Sequence, residues 1–307
     1  MHRGPMTIGW KIALVAMAYL LIFLGLQAWR GPNRDGTSTS AAPTAKPLPS
    51  RILETSHYTI TSTATVAQTQ LVADAVESLH AAYSSFFSES ITVDVGRLKL
   101  KLVLYGSREE FRANNRSSPW AEAYYLAPSC HAYFSSDNAN PYHWMLHEAT
   151  HQLNGEVAHF RKVKWMNEGL ASYFGTSRID GRRLLPGSID VNTYPVWWLA
   201  GMTLTGNIGE DIESGRIIPL AAIVSGTGGP DIDANFNLYY IEYWSLSHFL
   251  FHYRNGKYAG KYRELIRAGG SLQDFERLIG PMDRVQKEWH GYLREKVAEV
   301  RQMAAAS

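Results

Sequence analysis

Cysteine is nearly absent from this chain, because Cys130 is the only one in 307 residues. A single cysteine excludes an internal disulfide framework and zinc sites built from cysteine pairs. A charge excess of one sign is also lacking, since 30 Lys and Arg stand against 28 Asp and Glu. This balance argues against a nucleic-acid partner. Any metal chemistry must therefore use His, Asp and Glu, and the chain has 11 His.

The remaining composition is sufficient for a folded core. Hydrophobic residues make up 45% of the chain and charged residues 19%, which excludes a mostly disordered protein. The length suits two domains, or one large domain with an accessory lobe.

The longest apolar run lies near the N-terminus. From Ile12 to Leu26 every residue is apolar, Gly or Tyr. With Ala28 and Trp29 the run reaches about 18 residues, which as a helix span about 27 Å, close to the hydrocarbon thickness of a bilayer. The residues around Gln27 make a poor signal-peptidase site. We therefore predict an uncleaved signal anchor at residues 1–30 in the cell membrane, with a cleaved signal peptide and a secreted or periplasmic protein as the alternative.

The rest of the chain divides by composition. Residues 31–50 consist mainly of Pro, Gly, Ser, Thr and Ala, which is typical of a disordered linker. We predict a single-pass protein with its folded part outside the cytoplasm. That part comprises a lobe with strands and the motif-bearing helices at 51–185 and a helical lobe at 186–307.

Hydrophobic periodicity predicts an α+β fold. The predicted strands are His57–Thr63, Leu98–Tyr105, Glu122–Leu126 and Cys130–Ser135. The predicted helices are Val66–Phe87, a short helix capped by Ser107, Asn140–Asn154 (ended by Gly155), Met166–Phe174, Phe236–Tyr253, Tyr258–Ala268, Leu272–Leu278 and Met282–Gln302. The order is a mixed sheet, a central motif-bearing helix, and then a predominantly helical region after about Pro186.

The central helix carries His147-Glu148-Ala149-Thr150-His151, an H-E-x-x-H motif. Residues four apart lie on one face of a helix, so both imidazoles can bind one metal ion. Glu148 projects about 100° away, where its carboxylate can accept a proton from a water at the metal. The ligand types favour zinc, although manganese or cobalt would suit the same ligands.

Zinc needs a third protein ligand that this helix cannot supply. His143 lies on the same face, but about 12 Å of helical rise separates it from His151, which is too far for two ligands of one zinc. We interpret His143 as a helix-start residue or as a support for a ligand. Downstream, WMNEGLASYF at Trp165–Phe174 is apolar on one face and has Glu168 in its first helical turn.

HEATH followed by WMNEGLASYF resembles the gluzincin metallopeptidases of the peptidase-MA-like superfamily. The pair is especially similar to a bacterial family of unknown function with an N-E-G-L-A-x-Y-F signature. The likeness covers about residues 53–174, including HYTITSTAT and KLVLYGSREEF, and extends more weakly to the regions of Tyr240 and Glu288. It implies a zincin-like fold, Zn2+ as cofactor, and a peptide or protein substrate.

The resemblance also implies roles for individual residues. Glu168 becomes the third zinc ligand beside His147 and His151, and Glu148 becomes the general base. Asn167 matches a position that orients a ligand histidine in related enzymes.

One position departs from the family pattern. Relatives often have Asp four residues after the ligand Glu, whereas this chain has Ser172. The partner of the other ligand histidine is therefore open among His143, Tyr173 and Asn167.

Two further parts of the machinery follow from the resemblance. An oxyanion needs a hydrogen-bond donor besides the metal, and alignment on the following Trp implies Tyr240, with His248 less favoured. The same segment also contains Tyr239, Tyr243 and His252, and any of these aromatic residues can instead belong to the core. The segment 123–132 resembles the strand on which such enzymes bind an extended peptide.

These patterns predict a zinc-dependent metallohydrolase, namely a membrane-anchored peptidase that acts outside the cytoplasm. A catalytically silent metallopeptidase-like binding or scaffold module is one alternative, although such a module has no need for Glu148. A zinc amidase acting on a cell-wall or other non-peptide amide is another, because the metal polarises any such carbonyl.

Overall fold

A computed structural model describes residues 50–88, 99–161 and 163–306. The strands of its larger sheet are β1 (Arg51–Glu54), β2 (Tyr58–Ser62), β3 (Leu100–Tyr105), β4 (Ala123–Leu126) and β5 (Ser129–Tyr133). Their spatial order is β1-β2-β3-β5-β4. The three central strands are parallel, and β1 and β4 pair antiparallel at the edges.

Alternating side chains give this sheet one well-buried face. Ile60 pairs with Leu102, and Leu102 pairs with Cys130, so the three residues form a row across β2, β3 and β5. All three are fully buried. The apolar row forms the centre of the sheet's contribution to the core.

Four helices and a hairpin complete the first half of the described chain. The helices are α1 (Val66–Phe86), α2 (Arg108–Asn114), α3 (His143–Gln152) and α4 (Lys164–Gly175), and the hairpin is β6 (Ser177–Asp180) with β7 (Arg183–Ile189). The Thr65 side chain accepts from the Gln68 backbone N–H, and the Gln68 side chain accepts from the Thr65 N–H, which fixes the start of α1. Ser107 caps α2 in a similar way, as predicted.

The end of the central helix differs from the prediction. The α-helix stops at Gln152, and the chain continues as a π-helical turn at Leu153–Val157, passing through Gly155. Glu156 in this turn accepts a hydrogen bond from the Tyr125 hydroxyl at 2.6 Å. A contact with a distant strand therefore accompanies the continuation beyond Gly155, and local sequence does not reveal that contact.

The second half is helical, as predicted. Its helices are α5 (Val196–Leu199), α6 (Ile208–Glu213), α7 (Leu220–Ser225), α8 (Phe236–His252), α9 (Ala259–Ala268), α10 (Leu272–Leu278) and α11 (Met282–Ala306). The chain is thus a mixed α and β protein with a mixed sheet. The division into lobes at 185/186, a position that lies within β7, stays a prediction.

Helix α4 lies between α3 and α8 and presents a glycine to each. A Cβ built on Gly169 would lie 2.7 Å from the Tyr243 carbonyl oxygen and 2.3 Å from the Ser247 Oγ of α8. A Cβ built on Gly175 would lie 3.3 Å from the His147 Cα of α3. The two glycines therefore allow both neighbouring helices to approach α4 closely.

The predictions of a membrane-spanning helix and of a cell-membrane location are corrected here. In residues 50–88, 99–161 and 163–306, no helix combines the length and apolar character needed to cross a bilayer. Helices α1 and α11 are 21 and 25 residues long, but both carry charged residues, such as Glu77 in α1 and Lys287 in α11. The predicted anchor at residues 1–30 and the linker up to residue 49 lie outside the described residues.

Candidate metal centre

The structure brings together the three side chains that were predicted as metal ligands. His147 and His151 lie one turn apart on α3, and Glu168 comes from the first turns of α4. The two histidine Nε2 atoms are 3.2 Å apart. The Glu168 Oε2 lies 3.4 Å from each of them. Among the described residues, this is the one group of three or more potential ligands that meets at a common point.

The spacing of these atoms matches a tetrahedral zinc site. With metal–ligand bonds of 2.0–2.1 Å and tetrahedral angles, two ligand atoms of one zinc are about 3.3–3.4 Å apart. The observed separations of 3.2, 3.4 and 3.4 Å lie within about 0.1 Å of that range. Two imidazoles with one carboxylate are also a common donor set for catalytic zinc, and they leave one coordination position open.

Charge and burial in the cluster favour a bound cation. Burial alone would raise the pKa of Glu168, but His151 and His147 outweigh it and hold that pKa well below its usual value. Burial would lower the pKa of His151, yet the Glu168 carboxylate raises it to about 9. Without a metal, a histidine proton thus supplies the positive charge that the carboxylate requires.

Glu148 lies beside the cluster without belonging to it. Its carboxylate is buried, and burial raises its pKa above the usual value. The backbone N–H of Tyr125 in β4 donates a hydrogen bond to this carboxylate. The group is therefore held next to the ligands, with a raised proton affinity that suits a general base.

Strand β4 forms one wall of the site and is an edge of the sheet among the described strands. The Tyr125 N–H that reaches Glu148 points away from β5, and the backbone groups of alternate residues in a strand point the same way. Ala123 therefore also directs its N–H and C=O to the free edge. The Tyr125 side chain is anchored by its bond to Glu156 at 2.6 Å, so the edge is fixed relative to α3.

Tyr240 of α8 lies next to the cluster. Its ring centroid is 6.4 Å from that of His147, with an interplanar angle of 30°. Burial and the negative charge of Glu168 raise the pKa of its phenol well above the usual value. The hydroxyl consequently stays protonated and can donate a hydrogen bond.

Most of the other aromatic residues considered for this role are engaged elsewhere, whereas burial and nearby charges, Glu168 among them, raise the pKa of Tyr243. His248 contacts the Tyr292 hydroxyl at 2.6 Å and the Gly187 carbonyl at 3.0 Å. His252 pairs with the Tyr173 hydroxyl at 2.8 Å, which also occupies Tyr173. The Tyr239 hydroxyl donates to the Pro230 carbonyl, and Tyr243 is buried one turn from Tyr240.

The residues considered as supports for the ligand histidines differ in their contacts. Asn167 lies near His151 and raises its pKa, and its Oδ1 accepts a hydrogen bond from Asn154 at 3.2 Å. The buried Nδ1 of His151 has no hydrogen-bond partner, and neither has the buried Ser172 hydroxyl. His143 begins α3, contacts the Asn140 carbonyl at 2.8 Å, and has its pKa lowered to about 4 by burial.

Tyr194 is a site residue that the sequence did not indicate. It precedes α5, and its ring lies 5.6 Å from that of Tyr240. Burial and the charge of Glu168 raise the pKa of its phenol. No motif surrounds it, and only the packing of α5 against α8 brings it to the cluster.

No protein-family model and no curated protein sequence matches this chain. The gluzincin resemblance therefore depends on the HEATH and WMNEGLASYF motifs, and membership stays a prediction.

Proposed function

We propose that this protein is a zinc-dependent hydrolase that cleaves peptide bonds. The observation that carries the proposal is that potential ligand atoms of His147, His151 and Glu168 lie close enough together to bind one metal ion. The buried carboxylate of Glu148 beside them supports a catalytic use of the metal, because a structural zinc site needs only ligands.

Zinc, when bound, supplies an acidified water and a Lewis acid for the substrate carbonyl. His147, His151 and Glu168 would hold it. Glu148 accepts the proton of the attacking water, and its raised pKa lets it keep that proton until the leaving nitrogen takes it.

Tyr240 of α8 completes the proposed set. A neutral phenol donates a hydrogen bond to the carbonyl oxygen as negative charge develops there. The raised pKa of Tyr240 keeps its proton in place at neutral pH. Loss of one such donor typically costs about 10²–10³ in rate.

The substrate class is inferred from the free edge of β4. An extended peptide can pair with the outward backbone N–H and C=O of Ala123, as in other strand-addition complexes. Such pairing lays the peptide next to Glu148, whose carboxylate already contacts the Tyr125 N–H. A peptide backbone is thus favoured over an isolated amide, which cannot form this ladder.

We extend the proposal to the zincin-like fold and to gluzincin membership. The supporting features are the mixed sheet with an antiparallel edge strand, the motif helix α3 packed on it, and the glutamate ligand on α4.

The test compares metal content with hydrolysis of a peptide library by the full chain. Glu148→Gln should retain zinc and lose at least about 10²-fold in hydrolysis, because only the base is removed. Glu168→Ala should lose zinc and activity together. Glu109→Gln, an exposed acid on α2, is the matched control and should change neither quantity.

Each outcome separates the rival hypotheses. Chelator-sensitive cleavage that fails in Glu148→Gln supports the peptidase. Zinc-loaded wild-type protein that cleaves no peptide, but binds one, supports the silent binding module. Undiminished zinc in Glu168→Ala would remove that residue from the ligand set.

A further inference from the structure

Six partly exposed aromatic side chains form a continuous surface beside the candidate metal centre. We call this surface the aromatic wall. Its members are Trp120, Trp144, Tyr194, Trp197, Phe236 and Tyr240. Trp120 and Trp197 are the most exposed, at 58% and 37%. Contiguous exposed apolar surface of this kind commonly marks a ligand-binding site.

One branch of the wall leads from the surface to the metal ligands. The Trp120 ring centroid lies 4.9 Å from that of Phe236, and Phe236 lies 4.3 Å from Tyr240. Tyr240 in turn stacks near His147. Trp120 precedes β4 and Phe236 begins α8, so this branch joins the edge strand to the helix across the site.

The second branch lies on the α5 side. Tyr194 lies 5.6 Å from Tyr240, 5.6 Å from Trp144 and 5.8 Å from Trp197, between ring centroids. These contacts join residues that are distant in sequence into a single surface. Both branches meet at Tyr240, next to the ligand cluster.

The charges around the wall favour a neutral occupant. In the described part of the chain, no Lys or Arg lies over any of the six rings, and the cation–π contacts occur at other aromatics. Glu168 and Glu148 lie close enough to the wall for their charges to act on Tyr240, and under the proposed function the metal ion offsets them. Aromatic rings then offer an apolar surface with edge-to-face contacts.

We infer that the aromatic wall is a specificity subsite for an aromatic side chain of the substrate, next to the scissile bond. This inference rests on the proposed function. A peptide paired with β4 extends its side chains away from the ladder axis on alternate sides. One of these substrate side chains then lies against Trp120, Phe236 and Tyr240, within reach of Glu148.

The first experiment measures cleavage by the zinc-loaded full chain. Peptides that differ at one position flanking the scissile bond carry Phe, Leu, Ala, Lys or Asp there. Phe should be preferred over Ala by roughly 10- to 100-fold in kcat/KM, from burial of one large apolar side chain. Equal rates for Phe and Ala, or a preference for Lys, would overturn the subsite while leaving the hydrolase intact.

The second experiment needs no catalysis. Acetyl-Gly-Phe-Gly amide and acetyl-Gly-Ala-Gly amide are titrated into the full-length protein by isothermal titration calorimetry. The Phe peptide should bind at least about 10-fold more tightly. Selective binding without any cleavage would refute the hydrolase and keep the subsite, so the two failures are distinguishable.

The variants assign the effect to the wall. Trp120→Ala and Phe236→Ala should each reduce the Phe preference at least about fivefold in both assays, and Trp120→Phe should restore most of it. Leu71→Ala, an exposed apolar truncation on α1, is the control and should leave the preference unchanged. Retention of the full Phe preference by both alanine variants would overturn the inference.

Discussion

The closest helix contact in the candidate centre gives a sharp prediction for Gly169→Ala. An added Cβ would lie 2.7 Å from the Tyr243 carbonyl oxygen, while real Cβ contacts below 3.0 Å are essentially never seen. Helix α8 must then move by about 0.3–0.7 Å to restore ordinary contact. The Ser247 hydroxyl must also move, although it is held at 2.8 Å by the Tyr262 hydroxyl.

The expected magnitude is a balance of two effects. Alanine gains about 1 kcal/mol over glycine in a helix interior. Overpacking costs about 1–3 kcal/mol, and a weakened buried hydrogen bond costs about 1 kcal/mol more. The free energy of unfolding of Gly169→Ala should therefore fall by about 1–3 kcal/mol, measured by urea unfolding followed by circular dichroism.

Gly291→Ala is the matched control. Gly291 lies within α11, and nothing lies within 4 Å of its added Cβ. The same substitution there should raise the free energy of unfolding by about 0.5–1 kcal/mol. Equal effects of the two substitutions would refute the close-approach explanation of Gly169.

Three other perturbations test separate parts of the fold and site. Zinc at 100 times its Kd should stabilise the wild-type chain by about 2.7 kcal/mol in a thermal melt, and an equal gain in Glu168→Ala would contradict the ligand set. Tyr125→Phe should lower the free energy of unfolding by about 1 kcal/mol, because the hydrogen bond to Glu156 is lost. The same loss frees the β4 edge, so KM should rise more than kcat falls. An unchanged KM would argue against Glu156 as the anchor of β4. Glu242 is fully buried and its pKa is raised well above 4.5 by burial, so stability falls as pH rises from about 4.5 towards that raised pKa. Glu242→Gln keeps an acceptor for the Ile218 N–H. In urea unfolding, the stability advantage of this variant over wild type should be larger at pH 8 than at pH 5. The same difference in unfolding free energy at both pH values would show that Glu242 titrates normally.

Local patterns predicted the long elements well. The helical spacing of apolar residues predicted α1 at Val66–Phe87, and in the structure this helix ends one residue earlier, at Phe86. The start of α8 at Phe236 was also predicted. Helix α1 buries one face, and the spacing of its apolar residues reveals that face in the sequence. Helix α8 is instead buried on all sides from Ile241 to Phe251, and its long apolar and aromatic run is what the sequence shows.

The missed elements depend on distant contacts. Strand β7 contains Pro186 and Gly187, which local rules exclude from a strand, and helix was expected after Pro186. The strand nevertheless continues to Ile189. Ser177 of β6 accepts a hydrogen bond from the Gly187 N–H, and the Gly187 carbonyl contacts His248 of α8 at 3.0 Å. Ser177 belongs to the preceding strand and His248 lies 61 residues further along the chain, so no pattern within β7 itself predicts these contacts.

The same distinction applies to the candidate centre. The spacing of His147 and His151 on one helix is local, and the sequence predicted it directly. The resemblance of its motif predicted Glu168 as the third ligand, and the structure places its carboxylate beside the two histidines. Tyr194 was missed because its position depends on how α5 packs near α8, which no spacing along the chain encodes.

Because β4 is short, the segment of a protein substrate that pairs with it is short as well. Four residues span only about 13 Å of extended chain. Under the proposed function, a protein must present a segment of that length free of its own sheet and helix hydrogen bonds. Tails, interdomain connections and exposed loops satisfy this condition, whereas compact native domains would be cut only after partial unfolding.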